Sequence, residues 1–126
     1  MDEEGGFRDL VGIELTEAGE GRAVVRMKTG DRHLNPGGTV HGGAISTLVD
    51  VSMAEAIGTT LAEEDERPVT VEMKVTYMEP GEPGVIASTA RVRKGGKRIT
   101  VVEAEVTQEP DGEVVALATG TYTVVG

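Results

Sequence analysis

Residues 42–62 constrain the fold most, because this is the long stretch whose pattern predicts a helix, and small residues lie on nearly every side of it. These small residues are Gly43, Ala44, Ser46, Thr47, Ser52, Ala54, Ala56 and Gly58. A helix with such a surface packs closely against neighbours on more than one side. We therefore expect a helix that is surrounded by a curved sheet.

The predicted helix carries an acid, Asp50, inside an apolar run. Burying this carboxylate without a partner would cost several kcal/mol, so we expect it to have a partner or to lie in a cavity where its charge is used. Gly42 and Gly43 present backbone N–H groups at the helix start, where negative charge is best received. Donors at one end and a base farther along are the parts of an acyl-transfer site.

Spacing sets a condition on such a site. Gly43 and Asp50 share a helix face but lie roughly 10 Å apart along the axis at about 1.5 Å per residue. One substrate carbonyl cannot contact both residues within one chain. An antiparallel copy across a two-fold axis would place Asp50 of one subunit beside Gly43 of the other. We therefore expect a homodimer, paired again into a dimer of dimers.

The rest of the chain reads as β-structure. Alternating apolar and polar residues, with turn-forming residues between them, predict strands at 11–18, 21–28, 69–78, 85–93, 99–108 and 114–124. Strands do not alternate with helices, which indicates an α+β fold with an antiparallel sheet around a central helix. Residues 1–126 contain no internal repeat or linker and are expected to form a single domain.

A longer motif now gives a family resemblance. Asn35 lies six residues before His41. His41 begins a His-Gly-Gly triplet, and Asp50 lies nine residues after His41. This order, followed by the strand at 69–80, resembles the hotdog-fold acyl-CoA thioesterases of the PaaI type, which include the thioesterase superfamily member 2 group. The resemblance covers roughly residues 8–124. It implies a hotdog fold, a six-stranded antiparallel sheet wrapped around one long helix.

The resemblance also implies roles for the motif residues. Asp50 is the general base that activates water or, in some accounts of the family, the attacking nucleophile; we favour the base, because Thr70 matches a position whose hydroxyl helps to hold the water. The resemblance assigns the N–H that polarises the thioester carbonyl to the glycine pair; Gly42 matches the position usually named, although the amide of Gly42 or of Gly43 could serve. The side-chain amide of Asn35 is the second donor to the same oxygen.

Little in the sequence supports a metal site or a catalytic triad built from its histidines and serines. The resemblance makes His41 a residue that positions the site. A metal site from His33 and His41 is not expected, because only Asp31 shares their loop. Ser46 and Ser52 lack a histidine base within sequence reach, so no catalytic triad is predicted. We expect no cofactor, since coenzyme A would be part of the substrate.

Composition excludes several function classes. A net charge of −10 argues against nucleic acid and anionic membranes as partners. No segment reaches the roughly 18 apolar residues of a membrane span, and the acidic residues 1–4 do not resemble a signal peptide. We therefore expect a cytoplasmic protein. The absence of cysteine excludes disulfides, zinc thiolate sites and a cysteine nucleophile.

A basic cluster interrupts the acidic composition. Five of the 12 basic residues lie within eight positions: Arg91, Arg93, Lys94, Lys97 and Arg98. A solvated hairpin tip is the ordinary interpretation. The resemblance, however, places the nucleotide end of coenzyme A near this turn, so we expect the cluster to bind the phosphates.

Three functions remain open at this stage. The first is hydrolysis of an acyl- or aryl-CoA thioester; the second is a non-catalytic acyl-CoA binding or sensing module. A hotdog hydratase is the weakest, because the order of Asn35, the His-Gly-Gly triplet and Asp50 does not follow its pattern. A pure binder would not need Asp50, which favours the hydrolase. Phenylacetyl, hydroxylated aromatic and medium-chain acyl groups all remain possible.

Overall fold

The computed structural model describes residues 6–126, so the acidic residues 1–4 lie outside this range. Two helices and six strands follow one another along the chain: α1 (Phe7–Val11), β1 (Ile13–Gly19), β2 (Arg22–Lys28), α2 (Gly42–Gly58), β3 (Arg67–Tyr77), β4 (Val85–Gly95), β5 (Thr100–Gln108) and β6 (Glu113–Val125). A short 3₁₀ turn, Asp31–His33, interrupts the loop predicted before α2.

All six strands form one antiparallel sheet in the order β1-β2-β4-β5-β6-β3. The strands β1 and β3 are therefore its edges. One face of the sheet packs on α2, which contacts β2, β3, β4 and β5 most extensively. The predicted α+β hotdog fold, with one long helix against a six-stranded sheet, is confirmed.

The core lies between α2 and the inner face of the sheet. Strand alternation supplies small and branched side chains to it, so that the sheet approaches the helix closely. The largest fully buried side chains include Tyr122, Met27, Ile45, Leu48, Met53, Ile57 and Ile86. One tyrosine among these aliphatic residues is a polar group that requires a hydrogen-bond partner.

The helix ends earlier than predicted, at Gly58 rather than near residue 62. The hydroxyl groups of Thr59 and Thr60 donate hydrogen bonds to the carbonyls of Ala56 and Ile57, which satisfies the last turn. The hydroxyl of Thr59 also accepts a 2.7 Å hydrogen bond from the Gly21 amide. This bond fixes the C-terminal end of α2 to the turn between β1 and β2.

Candidate active site

Asp50 lies half-buried in the middle of α2. Its Oδ1 accepts a 2.8 Å hydrogen bond from the Thr70 hydroxyl and a 2.5 Å hydrogen bond from the Tyr122 hydroxyl. Its Oδ2 has no hydrogen-bond partner within residues 6–126. One carboxylate oxygen is thus held in place and the other is open, which is the geometry that a general base requires.

The sheet brings both donors to Asp50. Thr70 on β3 pairs with Tyr122 on β6, and the register of β3 shifts between residues 70 and 72, next to this pair. Gly120 makes room for the tyrosine ring, because a Cβ atom there would lie 2.7 Å from the Met53 sulfur and 2.9 Å from Tyr122 Cε1. The position of the Tyr122 ring next to Asp50 therefore depends on Gly120 in β6.

Burial raises the pKa of Tyr122 far above its ordinary value, and the hydrogen bond to Asp50 and the negative charge of Asp50 raise it further. The hydroxyl consequently remains protonated at neutral pH. Tyr122 can donate a hydrogen bond to the carboxylate but cannot serve as a base.

The start of α2 carries the predicted backbone donors. His41 is the N-cap residue, and its Nδ1 accepts a 2.8 Å hydrogen bond from the Gly43 amide. The Gly43 amide is therefore already engaged. The Gly42 amide, in contrast, has no acceptor within the described part of the chain. Of the two glycines predicted from the sequence, Gly42 has the amide that is free for a substrate oxygen.

Tyr77 braces this first turn. Its hydroxyl donates a 2.9 Å hydrogen bond to the Gly42 carbonyl and is also hydrogen-bonded to the Ser46 hydroxyl. Neither Tyr77 nor Tyr122 is among the site residues predicted from the sequence. Their scarcity was the available signal, because the chain has two tyrosines, one phenylalanine and no tryptophan, and both tyrosines contact the site.

Asn35 lies beside Gly42, as the resemblance implies. Its backbone N–H donates to the Thr39 carbonyl at 2.7 Å, which orders the loop. Its side-chain Nδ2 lies 3.4 Å from the Thr39 hydroxyl, a long hydrogen bond that leaves one amide proton free. Asn35, Gly42 and Tyr77 line a common cavity of about 350 Å³. The structure thus brings the two predicted carbonyl donors together.

Asp50 and Thr70 do not line that cavity. Eight residues of helix separate Asp50 from Gly42, which corresponds to about 12 Å along the axis. Within one chain the base and the carbonyl donors therefore form two separate groups. This separation agrees with the distance estimated from the sequence.

The basic cluster lies away from both groups. Arg91 and Arg93 line a depression of about 540 Å³ on the sheet face opposite α2, where Arg93 Nε is 3.5 Å from Glu103 Oε1. The remaining members, Lys94, Lys97 and Arg98, are exposed at the end of β4 and in the turn that follows it.

The turn after β4, which carries Lys97 and Arg98, lies beside the C-terminal end of α2. The Val92 amide donates a 2.8 Å hydrogen bond to the Gly21 carbonyl, and Gly21 is the residue that contacts the end of the helix. The loop before β4 lies at the other end, because the Gly81 carbonyl accepts a 2.8 Å hydrogen bond from the Val40 amide. One chain therefore keeps the basic turn and Asn35 at opposite ends of α2.

Residues 6–126 contain neither a candidate metal site nor a helix that could span a membrane. No group of three histidine, aspartate or glutamate side chains within residues 6–126 could hold a metal ion. None of the helices in this range is both long and apolar enough to cross a membrane.

Comparison with known proteins identifies relatives that match most of the chain. The family model of the Thioesterase superfamily matches residues 37–115, which include α2 with Gly42 and Asp50 but neither Asn35 nor Tyr122. The chain is 36% identical over 112 residues to human acyl-coenzyme A thioesterase 13, covering 87% of this chain and 79% of that protein. It is 28% identical over 107 residues to a 1,4-dihydroxy-2-naphthoyl-CoA hydrolase of Listeria monocytogenes, covering 84% of this chain and 85% of that one.

Solved structures agree with these sequence relatives. A conserved protein of Pseudomonas aeruginosa superimposes with a TM-score of 0.87 at 36% identity, over 94% of this chain and 93% of that one. The PaaI protein from the phenylacetic acid degradation operon of E. coli superimposes with a TM-score of 0.85 at 28% identity, over 94% and 83%. The resemblance read from the motif is confirmed: the chain belongs to the thioesterase superfamily and has its hotdog fold.

Proposed function

We propose that this protein hydrolyses acyl- or aryl-CoA thioesters to the free acid and coenzyme A. The observation that carries the proposal is the state of Asp50, whose Oδ1 is held by two hydroxyl donors while Oδ2 is open. The names of the relatives, an acyl-coenzyme A thioesterase and a 1,4-dihydroxy-2-naphthoyl-CoA hydrolase, support CoA thioesters as the class of substrate.

The reaction begins when Asp50 Oδ2 takes a proton from a water molecule and the water oxygen attacks the thioester carbon. The negative charge that develops on the carbonyl oxygen receives hydrogen bonds from the Gly42 amide and from Asn35 Nδ2. When the carbon–sulfur bond breaks, the sulfur leaves with the proton that Asp50 carries. Thr70 and Tyr122 keep the base oriented, while His41 and Tyr77 hold the first turn of α2.

The active site is shared between two subunits in this proposal. Because α2 separates Asp50 from Gly42 and Asn35, a substrate carbonyl that contacts the donors needs a base from a second, antiparallel helix. The edge strand β3 supports such pairing, since its outer edge has no partner strand within residues 6–126 and Val69 and Val71 are 42% and 57% exposed. We infer a homodimer in the cytoplasm, which pairs again into a tetramer.

The same two-fold arrangement gives the basic cluster a role. In an antiparallel helix pair, the C-terminal end of one α2 lies beside the N-terminal end of the other. The turn of one subunit, with Lys97 and Arg98, thereby approaches Asn35 of the other subunit. Coenzyme A would lie across the interface with its phosphates on this turn, where positive charge offsets the acidic surface.

A thiol-release assay with a panel of CoA esters tests the hydrolase. We expect release of free CoA by the native chain and release slower by roughly 10²–10⁴-fold by Asp50→Asn, while both bind the substrates. Binding of CoA esters without release by the native chain would identify the non-catalytic binding module instead. Neither binding nor release across the panel would contradict both functions.

A further inference from the structure

The charges of the edge strand β3, together with that of the second residue after it, are arranged symmetrically about Met73. Glu72 and Lys74 lie one residue before and one residue after Met73. Arg67 and Glu79 lie six residues before and six residues after it. The two charges at each distance have opposite signs, and this stretch contains no other charged side chain. Such a pattern is complementary to a second copy of itself that runs in the antiparallel direction.

The four charged side chains have no charged partner in their own chain. All four residues are exposed, and none of their side chains makes a hydrogen bond or an ion pair within residues 6–126. The other edge strand, β1, differs, because its charged residues Glu14 and Glu17 are both acidic. No register between two copies of β1 could place an acid opposite a base. Of the two edges of the sheet, β3 is therefore the one whose charges fit a second copy of the chain.

We propose that β3 pairs with β3 of a second copy about a two-fold axis at Met73, so that Glu72 of each chain lies opposite Lys74 of the other. Arg67 and Glu79 approach each other at both ends of the strand pair. The inference rests on the proposed function and deepens it, because it fixes how the two chains that share the active site are aligned.

Two physical conditions exclude the neighbouring registers. Met73 packs against the core, whereas Lys74 lines the depression on the outer face of the sheet. Because directly opposite residues of an antiparallel pair point to the same face, a shift by one residue would place outward side chains opposite inward ones. A shift by two residues would place Glu72 opposite its own copy, or Lys74 opposite its own copy. Like charges at such positions destabilise the pair.

The same register aligns the two halves of the proposed active site. Thr70 donates a hydrogen bond to Asp50 and lies three residues before Met73. Tyr77 donates a hydrogen bond to the Gly42 carbonyl and lies four residues after Met73. A two-fold axis at Met73 therefore brings Thr70 of one chain to within about one residue, roughly 3 Å along the strand, of Tyr77 of the other. The charge pattern and the positions of the site residues thus support the same alignment.

Charge exchange between two chains tests this register. Lys74→Glu and Glu72→Lys each place like charges across the two-fold axis, so each variant alone should raise the Kd of the dimer by roughly tenfold or more. An equimolar mixture restores both pairs of opposite charges, and its heterodimers should have nearly the native Kd. Analytical ultracentrifugation with one labelled chain measures these values, and Glu14→Lys on β1 is the matched control, expected to be native. A mixture that pairs no better than its parents would overturn the register.

Disulfide formation measures the register directly, because the chain has no cysteine of its own. Opposite residues of a strand pair lie within the range of about 4.4–6.8 Å between Cα atoms that a disulfide spans. Two copies of residue 72 would lie about 8 Å apart. Glu72→Cys and Lys74→Cys should therefore crosslink efficiently when mixed and poorly when each is oxidised alone. Efficient crosslinking of either variant with itself would identify a shifted register and overturn the proposal.

Neither experiment requires turnover, which separates this inference from the proposed function. Heterodimers and mixed disulfides in a chain that releases no CoA would support the register and contradict the hydrolase. An active enzyme whose disulfides follow another register would retain the hydrolase and overturn the inference. A native chain that is monomeric at micromolar concentration would also overturn it.

Discussion

The hydroxyl of Tyr122 donates a 2.5 Å hydrogen bond to Asp50 Oδ1 from a fully buried position on the inner face of the sheet. The orientation of an acid on the helix is therefore set by a side chain of the sheet. Any change in the packing between these two elements reaches the carboxylate directly.

Replacing Tyr122 with phenylalanine tests this support. The variant should lose about 1–3 kcal/mol in free energy of unfolding at pH 8, because the bond to a charged acceptor is lost. The folded-state pKa of Tyr122 is raised, so its hydroxyl contributes stability below its ordinary pKa of 10.0 and loses it as the pH rises above that value. The difference between native chain and variant should therefore shrink above about pH 10, by up to about 1.4 kcal/mol per pH unit. Urea unfolding at several pH values measures it, and a constant difference would contradict the assignment.

Replacing Asp50 with asparagine preserves the shape of the side chain and removes the base. We expect kcat to fall by roughly 10²–10⁴-fold, the usual share of general base catalysis. Substrate binding and the oligomeric state should survive, as measured by calorimetry and light scattering. A variant that retains native kcat would exclude Asp50 from the reaction.

Asn35→Ala removes one donor to the oxyanion and should lower kcat by roughly 10²–10³-fold. Mixed with Asp50→Asn chains, it provides a test of the shared site. If the base and the donors come from different subunits, heterodimers of the two inactive variants contain one intact site and should recover activity. A mixture that exchanges subunits, as shown by mass spectrometry, yet stays as inactive as its parents would refute the shared site.

Charge reversal at the basic turn should weaken substrate binding rather than chemistry. The double variant Lys97→Glu and Arg98→Glu should raise KM for CoA esters roughly tenfold with kcat nearly unchanged, because the contact is equally strong in the ground and transition states. Added salt should reduce the difference. Lys28→Glu, exposed at the other end of the sheet, is the control for a general charge effect. An unchanged KM in the double variant would exclude the turn from phosphate binding.

The fold could be predicted from local patterns because each strand alternates and the helix stands alone between them. The pattern did not predict where the helix α2 ends. Thr59 and Thr60 end it through hydrogen bonds to the preceding carbonyls, and one of these hydroxyls also accepts a bond from Gly21, far away in sequence. Tertiary contacts of this kind override helical propensity.

The motif residues were identified from their order, and the structure places Thr70 next to Asp50 and Asn35 next to Gly42. Tyr122 and Tyr77 were missed, because strand alternation predicts which face a side chain occupies but not which atom it reaches. That depends on the pairing of β3 with β6 and on the irregular register next to Thr70. The catalytic roles themselves, and those of the basic cluster, remain predictions.

The helix α1 has no buried residue, whereas the support of Asp50 passes through Tyr122 and Gly120 inside the core. Substitutions on an exposed five-residue helix change stability by little, and those at Gly120 would disturb Met53 and Tyr122 together. Residues of α1 can therefore vary with little effect on the free energy of unfolding, whereas a mutation at Gly120 disturbs the side chain that orients Asp50.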